Sequence, residues 1–214
     1  MVAAAEYAQA VLELAAERRE RPRDDLLSLW SASPGYDDER LAKDALLLLD
    51  GGAETTRTVI ATVIDALIRH PEQWRLLRAD PALMDGAVEE FARWTTPVLD
   101  MCRSATRDTV LRGTPIPQGA QVLLMYGSAN RDPEIFTDPD AFDVTRKPGG
   151  HLAFGLGTHF CLGAAPARLE LRIFFEEWVA RVREAAWADE RGPRILPNAF
   201  VRGVTSFPIS LRPW

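Results

Sequence analysis

Phe154-Gly155-Leu156-Gly157-Thr158-His159-Phe160-Cys161-Leu162-Gly163 is the stretch on which the reading of this chain turns. Gly155, Gly157 and Gly163 remove side chains that would hold a flat partner away or forbid a left-handed turn. Cys161 stands where a last long helix, from about Cys161 to Arg183, is predicted to begin. Unpaired amides and the positive end of the helix dipole then face the sulfur and favour its anionic form. An anionic sulfur offered from a rigid, close-approaching backbone is what a haem thiolate requires. Two other readings stay open on these residues alone. One is a buried free cysteine ahead of a helix. The other is a zinc site of His151, His159 and Cys161, for which a fourth ligand is missing.

Upstream, residues 131 to 151 form a Pro/Asp/Gly-rich irregular stretch, too long for an idle connector. Before it the texture is β-prone, with Val98 to Met101, Thr109 to Leu111 and Gln121 to Met125 punctuated by Gly113, Pro115, Pro117 and Gly119, which predicts a small sheet. The first half reads as five helices: residues 3 to 19, a short helix from Asp24 to Trp30, a spine from Asp38 to His70, a helix from Pro71 through Leu77, and one from Ala82 to about Trp94. Gly51 and Gly52 are expected to interrupt the spine midway. Beyond the cysteine, Phe200 to Val204 with Pro208 to Leu211 reads as a terminal hairpin. The fold class expected is mainly α with a small β-sheet annex.

The bulk numbers narrow the function. In 214 residues, 47% are hydrophobic and 26% charged, enough for one substantial core. A formal charge of -6 and a pI near 5.2, with no Lys/Arg block, give no footprint for nucleic acid. Two cysteines are too few for a disulfide scaffold, so a reducing, cytoplasmic setting is expected. No apolar run approaches the roughly 20 residues of a membrane helix, and nothing resembles an export signal.

The cysteine segment fills every fixed position of Phe-x-x-Gly-x-His/Arg-x-Cys-x-Gly and so resembles the signature of the cytochrome P-450 superfamily. Further segments are similar to the same family, in its soluble bacterial branch. Gly51-Gly52-Ala53-Glu54-Thr55-Thr56 resembles the oxygen-activating segment of the family's central helix, which implies that Glu54 and Thr55 assist proton delivery to dioxygen. Glu90-Phe91-Ala92-Arg93 resembles the Glu-x-x-Arg helix, completed by Arg146 into a buried structural triad. Ser128 to Pro133 and Arg202-Gly203 match as well, whereas Ala165-Pro166 departs, its proline one residue late and expected to distort the first helical turn.

The resemblance implies a haem b cofactor, with Cys161 as the metal ligand, Phe154, Gly155, Gly51 and Gly52 against the macrocycle, and Arg103 with His159 on its propionates. It implies a pocket for a small organic substrate lined by Leu47 and Asp50, by Val98, Leu99 and Met101, and by Phe200 and Val201. Asp50 departs from the usual aliphatic residue and is expected to face solvent. A ferredoxin-type electron donor is implied as partner.

Tyr7 to Leu211 are covered, yet family members are about twice this length, more than one domain's ordinary variation. The expectation is one haem-binding domain over residues 1–214, corresponding to the C-terminal half of a cytochrome P-450 whose N-terminal half is absent. Three functions compete: a haem-thiolate monooxygenase, a haem-binding but non-catalytic module, and an interaction module that docks a separate N-terminal half or associates with itself through exposed strand edges.

Overall fold

The computed structural model describes residues 2–147 and 149–214. The chain divides into two compact units, Met1–Ala53 and Glu54–Trp214. In the first, helix α1 (Val2–Glu20) is built from alanine, leucine and glutamate and ends on Arg18 and Arg19, cations suited to the negative helix end. Helix α2 (Leu26–Ala32) is capped by Asp25, whose carboxylate accepts from the Ser28 amide at 2.7 Å and from Arg18 Nε at 2.6 Å. Val11, Ala15, Leu41 and Ala45 form the buried centre of this unit.

Helix α3 (Asp38–Arg69) is one uninterrupted helix of 32 residues, which corrects the expected break. Each of Gly51 and Gly52 costs the helix about 1 kcal/mol relative to alanine. Propagation along so long an element absorbs that cost, because each added residue brings a hydrogen bond once the helix is nucleated.

The second unit continues α3 into α4 (Pro71–Ala79), with Pro71 at the first helical position where its missing N–H costs nothing. A 3₁₀ turn, Pro81–Leu83, leads into α5 (Met84–Thr95). Strand β1 (Asp100–Ser104) pairs antiparallel with β4 (Gln121–Met125), and β2 (Thr109–Leu111) with β3 (Thr114–Ile116). The turn between β2 and β3 is Arg112-Gly113, both at positive φ as a tight hairpin requires. A short helix α6 (Tyr126–Ala129) precedes the irregular stretch, and α7 (Ala164–Arg181) follows the cysteine segment. Strand β5 (Val182–Trp187) pairs with β8 (Ile209–Pro213), and β6 (Arg194–Leu196) with β7 (Gly203–Ser206).

Three expectations are corrected here. The fold is mainly α with a small β annex, as expected, but the strands do not share one sheet: among the described residues the annex is four separate two-stranded ladders. The terminal hairpin does not form: only Phe207 and Pro208 separate β7 from β8, and Phe207 does not take the positive φ that a primed two-residue turn needs at its first position, so each strand pairs elsewhere. Helix α7 begins at Ala164, after Gly163 at its N-cap, so Pro166 lies in the first turn, where amides have no intrahelical partner, and breaks no bond.

The core of this unit joins α3, α4, α5 and α7 through Val63, Leu67, Trp74, Leu77, Phe91 and Phe175, with Phe91 and Phe175 rings 4.6 Å apart. Each such apolar side chain contributes about 1.5–3 kcal/mol on burial. Phe142 and Val144 of the irregular stretch dip into the same core and anchor it. Among the described residues no helix is long and apolar enough to cross a membrane.

Candidate functional site

The cysteine segment is a succession of short turns. Gly155 and Gly157 sit at φ +70 and +75, a region closed to most side-chain-bearing residues, and Gly157–His159 makes a 3₁₀ turn. The loop closes on itself where the Cys161 amide donates to the Phe154 carbonyl at 2.9 Å. Cys161 lies two residues before the α7 N-cap, exposed, which overturns the reading as a buried packing cysteine. Around it Leu156, Phe160 and Leu162 are 79%, 49% and 83% exposed, a collar of apolar surface on one loop.

The zinc reading also fails on geometry. Both ring nitrogens of His151 are engaged, Nε2 with Glu89 Oε2 at 2.9 Å and Nδ1 with the Ala153 amide at 3.2 Å. Among the described residues no group of three or more His, Cys, Asp or Glu side chains is placed to hold a metal ion.

Beneath the loop lies a buried charged cluster. Glu90 accepts from Arg93 Nε at 2.6 Å and Nη2 at 2.8 Å, from Arg146 Nε at 3.1 Å, and from the Asp143 amide at 3.0 Å. Arg93 also donates to the carbonyls of Asn130, Pro139 and Ala141, and Arg146 to those of Thr137, Asp138 and Ala141. Two planar forks thereby collect the carbonyls of the irregular stretch and tie them to one carboxylate on α5. Arg131 adds donors to the carbonyls of Arg93 and Trp94, and burial lowers its pKa to about 10. The cluster holds Thr96 at φ 42, a costly conformation for a β-branched residue, through Thr96 Oγ1 to Arg93 O at 2.7 Å and Asn130 Nδ2 to Thr96 Oγ1 at 2.8 Å.

Other residues singled out from the sequence are distributed around these two features. Arg103 lies on β1 with Nη1 on the Cys102 carbonyl at 2.8 Å, and His159 is exposed in the turn before Cys161. No hydrogen bond or ion pair joins those two among the described residues. Glu54 pairs with Arg57 one turn on, and its Oε1 stands 3.0 Å from where a Cβ on Gly203 would lie, so any side chain at 203 displaces the carboxylate. Thr55 is half-buried on the same helix. Val98 bridges Val201, and the Leu99 amide donates to Phe200 O at 2.8 Å, which brings four of the expected pocket residues together; Met101 follows on β1. Leu47 and Asp50 are exposed on α3, in the first unit.

Sequence reasoning missed Glu89, Arg168 and the role of Asn130. Glu89 receives a bidentate pair from Arg168, 2.6 and 2.9 Å, besides the bond from His151. Burial pushes its carboxyl pKa up, but the bonds from His151 and Arg168 outweigh that and hold it at about 2. Asn130, fully buried, accepts the Leu152 amide at 2.7 Å. The one available signal was a second acid beside Glu90 on a helix otherwise buried.

Comparison with known proteins follows the same lines. The family model "Cytochrome P450" matches residues 77–183, which contain the Glu90 cluster and the cysteine segment. A steroid C26-monooxygenase of Mycolicibacterium smegmatis is 42% identical over 213 residues, 98% of this chain and 53% of that protein. Cytochrome P450-terp of a Pseudomonas species is 41% identical over 197 residues, 90% of this chain and 46% of that protein. Among solved structures, P450BioI in complex with acyl carrier protein ligated to hexadec-9Z-enoic acid superposes with a TM-score of 0.91 at 38% identity, over 97% of this chain and 54% of that one. The chain thus spans about half the length of the relatives it matches. With the family model over half its length and these relatives along nearly all of it, this chain belongs to the cytochrome P-450 family.

Proposed function

We propose that this chain is the haem-thiolate portion of a cytochrome P-450 monooxygenase, with Cys161 the metal ligand of a haem b that it holds to oxidise a small organic substrate. The observation that carries the reading is an exposed thiol on a glycine-turned loop, collared by exposed Leu156, Phe160 and Leu162 and rooted on a buried ion cluster. That donor set fits the group: one soft ligand and an apolar surface for a flat macrocycle, with no group of three or more His, Cys, Asp or Glu side chains among the described residues placed to hold a bare ion in its stead.

The bound haem supplies dioxygen activation. The chain supplies the rest: Phe154 and Gly155 lie against the macrocycle, and Arg103 and His159 bind the propionates. Glu54 and Thr55 move protons, which requires the Glu54 carboxylate to leave Arg57. Val98, Leu99, Met101, Phe200 and Val201 line the pocket. A ferredoxin-type donor delivers electrons, in a cytoplasmic setting.

The test is spectroscopic. Protein given haemin, then reduced and exposed to carbon monoxide, shows the red-shifted Soret band of a thiolate ligand, and Cys161→Ala loses it. An unshifted band in the unmodified protein overturns the proposal.

A second reading has its own support. The loop surface is apolar and open, and on that reading the chain holds haem but does not by itself oxidise substrate. Substrate oxidation coupled to NAD(P)H consumption by this chain alone, with an electron donor, rules that reading out.

A further inference from the structure

Glu89 and Glu90 are neighbours on α5, and about 100° of helical rotation sends them to different sides. Glu90 gathers the middle of the irregular stretch, whereas Glu89 reaches His151, three residues ahead of the cysteine segment. Four consecutive residues ahead of the cysteine are held one by one. The His151 ring bonds Glu89, and the Leu152 amide bonds Asn130. The Ala153 amide bonds His151 Nδ1, and the Phe154 ring lies under the Arg168 guanidinium, 4.4 Å from its centroid. Arg168 is fixed in turn by both Glu89 oxygens. From Phe154 the chain of contacts ends at the Cys161 amide on the Phe154 carbonyl.

We propose that Glu89 is a positioning residue for the ligand thiol: one carboxylate on α5 clamps His151 and Arg168, and through the Phe154 ring and carbonyl they fix where the Cys161 sulfur points. The proposal rests on the haem-thiolate reading for its purpose, but the clamp can be tested without haem. The burial pattern suits the role. The His151 and Glu89 side chains are 6% and 18% exposed, and Arg168, at 36%, leans over a ring in place of extending into solvent.

The experiment uses the full chain with Glu89→Ala, Arg168→Gln and Arg168→Lys, and with Arg172→Gln as control, an exposed arginine one turn on that pairs with Glu176 and Asp85. Without haem, hydrogen exchange of the 151–163 peptides should accelerate about tenfold in Glu89→Ala and Arg168→Gln, the scale of losing a charged hydrogen bond, while α7 amides and the control stay unchanged. With haemin, reductant and carbon monoxide, those two variants should shift absorbance from the red-shifted Soret band to the unshifted position. Arg168→Lys, which keeps a cation on Glu89, should retain most of the red-shifted band. Should Glu89→Ala fail to fold, Arg168→Gln decides the matter, since it severs one arm at a partly exposed residue. Loop exchange within twofold of the unmodified chain, or acceleration spread equally over α5 and α7, overturns the clamp. Absence of the red-shifted band in the unmodified chain overturns the haem reading instead, and the exchange result still decides the clamp.

Discussion

The Glu90 cluster and the Cys161 loop are opposite extremes of burial within one unit. Glu90 and Arg93 are 2% and 1% exposed, and each charge is matched by partners supplied from this chain. The loop shows a thiol and three large apolar side chains outward. A buried charge survives only if its partners are complete, so the cluster is finished business within the fold. An exposed apolar patch is unfinished and calls for something brought from outside. The difference separates what the chain needs in order to fold from what it needs in order to act.

The largest effect should come from the finished side. Glu90→Ala leaves Arg93 buried with no counter-charge and frees Arg146, and should destabilise the unit by about 3–5 kcal/mol, read from the urea midpoint of circular dichroism. A loss below 1 kcal/mol would show the cluster to be ornamental and dissolve the contrast. Next in size, Asn130→Ala removes the acceptor of the Leu152 amide and the donor to Thr96, costing about 1–3 kcal/mol in the same measurement. Because Asn130 links the cluster to the loop, its loss should also raise exchange at residues 151–154. Loss of stability with no loosening there would mean that the two regions are mechanically separate.

How much of this was legible depends on how far a signal must travel along the chain. Pro71, Pro81 and Pro97 mark helix limits locally, and the helices read from sequence stand within a few residues of α1 to α5. Glu90 and Arg93, three residues apart, announce themselves. Glu89 does not, since its partners His151 and Arg168 are 62 and 79 residues away. Strand pairing failed for the same reason. Val182–Trp187 contains Ala185-Ala186 and was absorbed at its start into the preceding helix, yet pairing with Ile209–Pro213 overrides that preference. The loop geometry was better read than the sheets because glycines at positive φ are a local requirement. Arg103 and His159, by contrast, are placed by resemblance alone, and no contact between them ties the assignment to geometry.

Strong acid should loosen the clamp. The Glu89 carboxyl is held at about 2, below its ordinary 4.5, so its contribution is fully present above 4.5 and is lost as pH falls from there through about 2. His151 Nε2 and the Arg168 guanidinium are the partners that face it. The gap in unfolding midpoint between the unmodified chain and Glu89→Gln should therefore be constant from pH 7 to 5, narrow below 4.5 and close near 2. A gap that persists unchanged at pH 2 would mean that the charge of Glu89 is irrelevant and only its shape counts.

The smallest effect on stability should come from the unfinished side, and it is the one that tests what the loop is for. Leu156→Ser and Leu162→Ser change side chains that are 79% and 83% exposed, so unfolding should move by no more than about 0.5 kcal/mol. If the collar receives an apolar macrocycle, each change forfeits burial of a leucine, about 1.5–3 kcal/mol, and haemin affinity measured by absorbance titration should fall by about tenfold or more. A protein that loses stability but binds haemin as before would reverse the assignment: the leucines would belong to the fold, and the contrast between a closed cluster and an open loop would have been drawn in the wrong place. Stability unchanged with affinity reduced is the outcome that a ligand-facing surface demands, since side chains left in solvent add little to the isolated fold and gain their burial only against the bound group.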